Sequence, residues 1–392
     1  MGMRERVILS GLGVLSAAGD DVVSSLATFK GLARPRTIQG NLAGVEAPFP
    51  LFAVTSDVPD VDRTYHLALT ATRQALVEAR LEQLPMGFRL GVCVGTTVAC
   101  QLNDIPFYRS YRETGQPPLE PVYRFLAGSL AERLAEATHA EGPVLTVVNA
   151  CSSGTDAAGV ACSWLRANLC DAVIVGGADE LSKIPSSGFY SLSVKSPSLC
   201  KPFDRDRQGL NLGEGAGIAI FERQDSAERR GISSTLEVVG FGAAADGHHL
   251  TAPHPEGLGI EQAIRLALGD AAITAEQIDF INAHGTATRE NDRIEGNALA
   301  RVFGPQLHVV STKGYTGHTL GAAGGIELVF TALALREGWI PSNIGFENQD
   351  PEIPFTPLQQ VTPVKKNYAL STSLAFGGNN AAVVLCRREE AS

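Results

Sequence analysis

Val147-Val148-Asn149-Ala150-Cys151-Ser152-Ser153-Gly154 is the stretch that decides the fold. The apolar, β-branched residues 145–148 predict a short buried strand, and the small residues of 154–165 predict a tightly packed helix. Cys151 then lies on a sharp turn before the N-terminus of that helix. The helix dipole favours the thiolate there, so we expect the pKa of Cys151 to fall below its ordinary value of about 8.5. Inert core packing is the alternative for any cysteine, but the polar neighbours of Cys151 argue against it.

The second half of the chain repeats this plan of strand, polar turn and small-residue helix. A predicted strand at 278–281 leads to His284, and Val309 and Val310 lead to Lys313 and His318, before a helix rich in Gly and Ala that starts at Leu320. Two such helices can approach closely in a shared core, which predicts a duplicated chain divided into 1–235 and 236–392. Further strands are predicted at 7–9, 90–95, 172–175, 218–221 and 236–241, and helices at 62–81, 123–138 and 259–268. The long irregular segment 96–142 is expected to set substrate shape and subunit contact.

Composition narrows the possible functions. The 392 residues are 44% hydrophobic and carry 42 acidic against 32 basic residues, a formal net charge of -10. A chain of this kind can bury a large core, and it offers no basic stripe for nucleic acid or for an anionic membrane surface. The seven cysteines include no C-x-x-C pair and no Cys/His cluster at metal spacing, so we expect a reducing compartment and no metal. The N-terminus has no signal-peptide or myristoylation pattern, and a cytoplasmic protein without membrane spans is expected.

The polar residues that follow the predicted strands suggest one reactive site. Cys151, His284, Lys313 and His318 all stand at strand ends, where the reactive groups of α/β sheets gather. Taken singly, each histidine could be structural and the lysine solvated. Together, a cysteine and one histidine suggest acyl transfer, and a second histidine suggests that two imidazole N–H groups stabilise an enolate oxyanion. The threonine hydroxyls near both histidines are expected to fix the ring tautomers.

Four motifs in order carry a resemblance to a known family. They are Asn149-Ala150-Cys151-Ser152-Ser153-Gly154, the run from Asn282 to Thr288, Ser311-Thr312-Lys313 with Thr316-Gly317-His318, and Phe376-Gly377-Gly378-Asn379-Asn380. From Val7 to Leu385 the chain resembles the β-ketoacyl-[acyl carrier protein] synthases, nearest to the elongating synthase I/II type with its Cys-His-His site. The resemblance implies an α/β, thiolase-like fold, in which two βαβαβαββ halves form a five-layer α-β-α-β-α sandwich, usually as a dimer.

The same resemblance implies the reaction. Cys151 would take an acyl chain from the phosphopantetheine of an acyl carrier protein. His284 and His318 would hold the thioester oxygen of malonyl-carrier while CO2 leaves, and the resulting carbanion would attack the acyl group on Cys151. The product would be a 3-oxoacyl-carrier, and no cofactor other than the carrier's phosphopantetheine is implied.

Supporting roles also follow from the resemblance. The backbone N–H groups of Cys151 and Phe376 would form the oxyanion hole, and Lys313 would orient the site with Glu327 as its anion. Thr286 and Thr288 match positions that bind the pantetheine arm, while Phe189 and Phe376 match the acyl pocket, Phe376 also as its gate.

The chain departs from the family pattern at three places, one of which is the segment 100–130, where the resemblance is loose. The closing motif reads Ser373-Leu374-Ala375-Phe376, where a second aromatic residue and a glycine are common, and Arg289-Glu290 follow the His284 motif where a proline is usual. Fatty acid synthesis and a polyene or type II polyketide pathway therefore both stay open. So do a homodimer, the active half of a heterodimer with a related subunit, and a thiolase-type coenzyme A enzyme. A non-catalytic partner subunit would commonly lack the nucleophile that Cys151 supplies.

Overall fold

A computed structural model describes residues 5–42, 45–97 and 105–388. Residues 1–4, Cys100 and part of the irregular segment 96–142 lie outside this range. In chain order the elements are β1 (Val7–Ser16), α1 (Val22–Gly31), β2 (Ile38–Leu42), β3 (Val45–Leu51), α2 (Arg63–Glu78), β4 (Leu90–Gly95), α3 (Ile105–Thr114), α4 (Glu120–Leu126), α5 (Leu130–Thr138), β5 (Val144–Val147), α6 (Ser153–Arg166), β6 (Ala172–Asp179), α7 (Lys183–Ser191), β7 (Gly215–Arg223), α8 (Gln224–Arg229), β8 (Leu236–Ala245), α9 (Leu258–Ala271), β9 (Ile278–Asn282), α10 (Arg289–Phe303), β10 (His308–Val310), α11 (Lys313–Thr316), α12 (Ala323–Glu337), β11 (Trp339–Ile340), β12 (Thr362–Pro363), β13 (Tyr368–Ala375) and β14 (Asn379–Arg387).

Two five-stranded sheets repeat one topology. The first has the order β1-β7-β6-β4-β5, and the second has the order β8-β14-β13-β9-β10. In both, the first three strands pair antiparallel and the last three pair parallel. The sheets meet where β1 pairs with β8 through Val7–Val238 and Ile8–Glu237. In each half of the chain, the five strands of the sheet and the helices between them follow the order βαβαβαββ, as the resemblance implies.

The helices complete five layers around these sheets. α2 and α5 cover the outer face of the first sheet, α6 and α12 lie between the sheets, and α9 covers the second sheet with α10 beside it. This is the α-β-α-β-α sandwich of the thiolase-like fold, and the expected fold class is confirmed. Among the described residues, no helix combines the length and the apolarity needed to cross a membrane.

The two central helices approach each other as closely as their small residues predict. A Cβ atom added at Gly154 would lie 2.6 Å from the backbone N of Gly325. Real Cβ atoms do not come so near to backbone, so any larger residue at this crossing would push α6 and α12 apart. Because α6 follows Cys151 and α12 follows His318, the close crossing fixes how near the two halves of the site can come.

Two sequence predictions about local structure are wrong. The helix predicted at 123–138 is two helices, because Gly128 takes a left-handed φ of 128° and the Ser129 side chain caps α5 by accepting from the Glu132 N–H. The strand predicted to be buried before Cys151 is β5, an edge strand whose Val144 and Leu145 are exposed. The other predicted strands and helices are present, with the segment from Leu320 beginning as a short 3-10 turn before α12.

Candidate active site

The turn that carries Cys151 contains one residue in a left-handed conformation and is stabilised by the hydroxyl group of one serine. Ala150 has a φ of 51°, a left-handed conformation that is uncommon for a residue with a Cβ. The Ser153 hydroxyl accepts from the Asn149 N–H at 2.8 Å and donates to the Ala150 carbonyl at 2.6 Å. α6 starts at Ser153, so the predicted position of Cys151 on a strand-to-helix turn is confirmed.

The four residues predicted to react come together in one buried place. His318 Nε2 lies 3.1 Å from Cys151 Sγ, and the rings of His284 and His318 have centroids 5.2 Å apart. Lys313 Nζ lies 3.1 Å from His284 Nδ1. The residues reach this point from the ends of β5, β9 and β10, that is, from both sheets. All four side chains are buried.

Hydrogen bonds at the far side of each ring fix the histidine tautomers. His284 Nδ1 faces the Lys313 ammonium, which can only donate, and His318 Nδ1 accepts from the Leu320 N–H at 3.3 Å. Both Nδ1 atoms therefore carry lone pairs, and each Nε2 carries the proton. The threonine hydroxyls expected to fix the tautomers are not the groups that do so. As a result, His318 presents an N–H to Cys151 Sγ, and His284 has its Nε2–H available as a second donor.

Both histidines are neutral because the site is buried. Burial, with the Lys313 charge adding to it, holds the pKa of His284 and of His318 well below the ordinary 6.5. A neutral imidazole can donate from Nε2 over the whole physiological pH range.

The predicted low pKa of Cys151 is wrong. Burial raises the pKa of its thiol to about 12, although the Lys313 charge and a hydrogen bond from the Phe376 N–H oppose the rise. The helix N-terminus was expected to dominate, but the side chain is only 5% exposed, and desolvation of the sulfur outweighs the dipole. The resting site therefore holds a thiol, and its proton must leave when substrate arrives.

The raised pKa of the Cys151 thiol predicts that its rate of alkylation depends on pH. A thiol with a raised pKa gains thiolate in proportion to hydroxide until pH reaches that pKa, so alkylation of Cys151 by iodoacetamide should speed up about tenfold per unit between pH 7 and pH 9. Peptide mapping of labelled protein measures the rate at Cys151 alone. A rate that levels off below pH 8 would mean that the thiol is acidic after all.

Lys313 is paired with Glu327, as expected. The Lys313 ammonium donates to Glu327 Oε1 on α12, and both side chains are buried. Burial raises the pKa of Glu327 to about 7, and Lys313 opposes the rise. The carboxylate balances the one cation in contact with His284, so it keeps that ammonium in place as a donor to Nδ1.

A cavity of about 520 Å³ leads to Cys151 from the surface. Its wall includes Phe189 and Phe376, whose stacked rings have centroids 5.2 Å apart. It also includes Arg289 and the pair Thr286 and Thr288, whose hydroxyl oxygens lie 3.0 Å apart. The cavity thus offers both apolar rings and hydroxyls to a substrate, and each residue predicted to bind substrate lies on it.

Glu295 is a site residue that the sequence did not predict. Its buried carboxylate accepts from the His284 N–H at 2.8 Å, from the Gly285 N–H at 2.8 Å and from the Thr372 hydroxyl at 2.7 Å. These bonds clamp the turn that presents the His284 ring. The sequence does contain a signal for it. Glu295 lies four positions before Leu299, so a charged residue shares the apolar face of α10, a helix that was not predicted.

Asp179 was missed as well. At the end of β6 its carboxylate accepts from the Thr96 hydroxyl at 2.9 Å and from the Gly321 N–H at 2.7 Å. Burial raises the pKa of Asp179 to about 6. The bond to Gly321 anchors the turn just after His318, so a carboxylate from one half positions a histidine from the other.

Comparisons with known proteins show the family to which the chain is similar. The family model described as "Beta-ketoacyl synthase, N-terminal domain" matches residues 30–227, and "Beta-ketoacyl synthase, C-terminal domain" matches residues 235–347. The chain is 31% identical to "3-oxoacyl-[acyl-carrier-protein] synthase 2" of Staphylococcus aureus (strain COL) over 414 aligned residues, which cover 99% of this chain and 100% of that protein.

Two solved structures are similar over almost the whole chain. "The ishigamide ketosynthase/chain length factor" superposes with a TM-score of 0.90 at 31% identity, covering 98% of this chain and 100% of that one. "AntDE:AntF (apo): type II PKS acyl-carrier protein in complex with its ketosynthase bound to the hexaketide" has a TM-score of 0.90 at 25% identity, covering 99% and 100%.

Proposed function

This chain belongs to the β-ketoacyl synthase family, and from that premise we propose how its site carries out decarboxylative condensation. An acyl group held on Cys151 joins the two-carbon unit of malonyl-[acyl carrier protein] to give 3-oxoacyl-[acyl carrier protein] and CO2. The observation that carries the proposal is the pair of neutral imidazoles, each with an Nε2–H, in one cavity with Cys151 Sγ. Acyl transfer alone would need only one histidine beside the cysteine. Decarboxylation also needs hydrogen-bond donors to the enolate oxygen, which the second imidazole helps to supply.

The first step is acyl transfer. Cys151 Sγ attacks the carbonyl carbon of an acyl thioester on the carrier, and the carbonyl oxygen becomes an oxyanion that accepts from the N–H groups of Cys151 and Phe376. The carbon–sulfur bond to pantetheine then breaks. The pantetheine thiol leaves with the proton that the Cys151 thiol gives up, and the acyl group stays on Cys151. One donor of this kind contributes about 3 kcal/mol to such a transition state.

The second step makes the carbon–carbon bond. Malonyl-carrier loses CO2, and the electron pair of the broken bond forms an enolate whose oxygen accepts from Nε2–H of His284 and of His318. The enolate carbon attacks the acyl carbonyl on Cys151, and the tetrahedral oxyanion collapses with release of the Cys151 thiolate. That thiolate takes a proton from water, and the 3-oxoacyl-carrier leaves. Loss of CO2 supplies the carbanion, so no strong base is required.

The remaining residues hold substrate or hold the histidines. Thr286 and Thr288 bind the pantetheine arm along the cavity, and Phe189 and Phe376 face the acyl chain, with Phe376 as the gate. Lys313 and Glu327 keep the tautomer and orientation of His284. No further cofactor is needed, since the phosphopantetheine arrives with the carrier.

We also propose a dimer that forms at the edge of the first sheet. β5 is an edge strand, and Val144, Leu145 and Val148 beside it are 37%, 42% and 66% exposed. An edge strand with exposed apolar side chains is a surface that another chain can cover. A second copy of this chain is the partner we favour. A related subunit is the alternative, because one similar structure is titled as a ketosynthase with a chain length factor.

We also propose that the first half of the chain ends at residue 235. This boundary is supported by the start of β8 at Leu236, where the repeated strand order begins again. We also propose a cytoplasmic location, which is supported by the six described cysteines, all of them buried and outside any disulfide.

Turnover with matched substrates tests the proposed function. Purified protein is given malonyl-carrier with an acyl group on either the carrier or coenzyme A, across graded chain lengths, and the products are read by mass. We expect a 3-oxoacyl-carrier two carbons longer than the acyl donor, with faster turnover of the carrier thioester. Faster turnover of coenzyme A thioesters would favour a thiolase-type enzyme, and no elongated product with any donor would contradict the proposal.

A further inference from the structure

The two oxyanion donors proposed above come from separate loops. Cys151 lies on the turn between β5 and α6, whereas Phe376 lies in the connection between β13 and β14. Gly377 and Gly378 follow Phe376 with φ values of 88° and 78°, and the Gly377 N–H donates to the Leu250 carbonyl at 2.7 Å, so backbone bonds hold the glycines but none of them reaches the loop of Cys151. Since an oxyanion must accept from both N–H groups at once, something must fix the distance between the two loops.

A side-chain network crosses between these loops. Asn379 Nδ2 donates to Asn149 Oδ1 at 2.6 Å, and Asn149 Nδ2 donates to Asp156 Oδ2 at 2.6 Å. The Ser152 hydroxyl donates to the same Asp156 oxygen at 2.8 Å. Asn149 and Ser152 flank Cys151 within two residues, and Asn379 is three residues from Phe376. The network therefore ties the residues on both sides of the nucleophile to the loop that carries the second donor.

The Asn379 side chain is not needed to build its own strand. Its backbone is already placed by the ladder that pairs Ala375 with Asn379 and Asn379 with Ala245. The side chain instead reaches Asn149 in the other half of the molecule, 230 positions away in sequence. On the Asn149 side, Asp156 is anchored in the first turn of α6, which crosses α12 closely. The tie thus joins the first turn of α6 to the strand that directly follows the connection carrying Phe376.

We propose that Asn379 is a positioning residue that sets the spacing of the Cys151 and Phe376 N–H groups through Asn149, with Asp156 as the anchor. This inference rests on the proposed function, because it assumes that the two N–H groups bind an oxyanion. Removing the tie lets the Phe376 loop move away from the nucleophile. Reactions of Cys151 that form an oxyanion should therefore slow much more than reactions that form none.

Two reactions of the same sulfur separate these cases. Acylation of Cys151 by acyl-carrier forms a tetrahedral oxyanion, whereas alkylation by iodoacetamide is a displacement at a saturated carbon and forms none. For Asn379→Ala we expect acylation to slow about 10- to 100-fold. This loss is smaller than the roughly 10²- to 10³-fold that removal of a whole oxyanion donor causes, because the Phe376 N–H is displaced and not deleted. Alkylation of Cys151 should slow much less than acylation, and only because loss of the Phe376 N–H hydrogen bond to Sγ raises the pKa of the thiol. Asn149→Ala should behave alike, and the double variant should be little worse than either single one.

Asn297→Ala is the matched control, because that amide also bridges two segments, donating to the carbonyls of Arg293 and Glu352, but away from the site. It should leave both rates unchanged. Equal slowing of acylation and alkylation in the Asn379 and Asn149 variants would overturn the inference, and so would unchanged acylation or additive losses in the double variant. If the unaltered protein itself is not acylated, the proposed function fails instead, so the two failures can be told apart.

Discussion

Replacing Cys151 with alanine is expected to abolish condensation, with a loss on the order of 10⁴-fold or more. The loss is this large because the sulfur to which the acyl group is transferred is then missing. The measurement is the rate of 3-oxoacyl-carrier formation from acyl-carrier and malonyl-carrier, read by mass. The variant should fold, since a sulfur at the cavity wall is removed and no helix or sheet contact depends on it.

Cys93→Ala is the matched control for this experiment. Cys93 is buried in β4, and burial also raises the pKa of its thiol to about 12, but it does not lie on the cavity. Both thiols are thus buried and have raised pKa values, but Cys151 lies on the cavity and Cys93 does not. If Cys93→Ala lost as much activity as Cys151→Ala, or if Cys151→Ala kept more than a few per cent of it, Cys151 would not be the nucleophile.

Replacing the histidines one at a time should give two different patterns of loss. His284→Ala is expected to slow decarboxylation of malonyl-carrier about 10²- to 10³-fold, because one donor to the enolate oxygen is lost. Acylation of Cys151 should change little, since His284 contacts Lys313 rather than the sulfur. His318→Ala is expected to slow both reactions, because its Nε2–H lies 3.1 Å from Cys151 Sγ as well. Release of CO2 and the acyl adduct on Cys151 measure the two reactions separately.

His308→Ala serves as the control for these variants. The His308 side chain, at the start of β10, faces Asp279 and not the cavity. Its removal should leave both reactions at their original rates. Equal effects of His284→Ala and His318→Ala on acylation would contradict the division of roles, and so would normal decarboxylation in either variant.

The fold and the reacting residues were largely predictable because they depend on local pattern. The strand, polar turn and small-residue helix around Cys151 recur around His284 and His318, and short-range periodicity records such a plan directly. The duplicated plan, the close helix crossing and the meeting of Cys151 with both histidines follow from it, whereas the five-layer arrangement was expected from the resemblance to the β-ketoacyl synthases.

The features that were missed depend on contacts between distant segments. The pKa of Cys151 is set by how completely the second half covers the sulfur, which the local sequence does not reveal. Glu295 acts on a turn eleven residues earlier through a helix packed behind it, and Asp179 acts on the other half of the chain. The exposure of β5 depends on its place at the sheet edge, which strand composition does not specify.

One sulfur is expected to carry the acyl group between two carriers, and the intact mass of the protein shows whether it does. After incubation with acyl-carrier in the absence of malonyl-carrier, we predict a mass increase equal to one acyl group, mapped by peptide analysis to Cys151. Adding malonyl-carrier should then return the protein to its original mass as the 3-oxoacyl-carrier appears. No acyl adduct, or an adduct on another residue, would contradict the account.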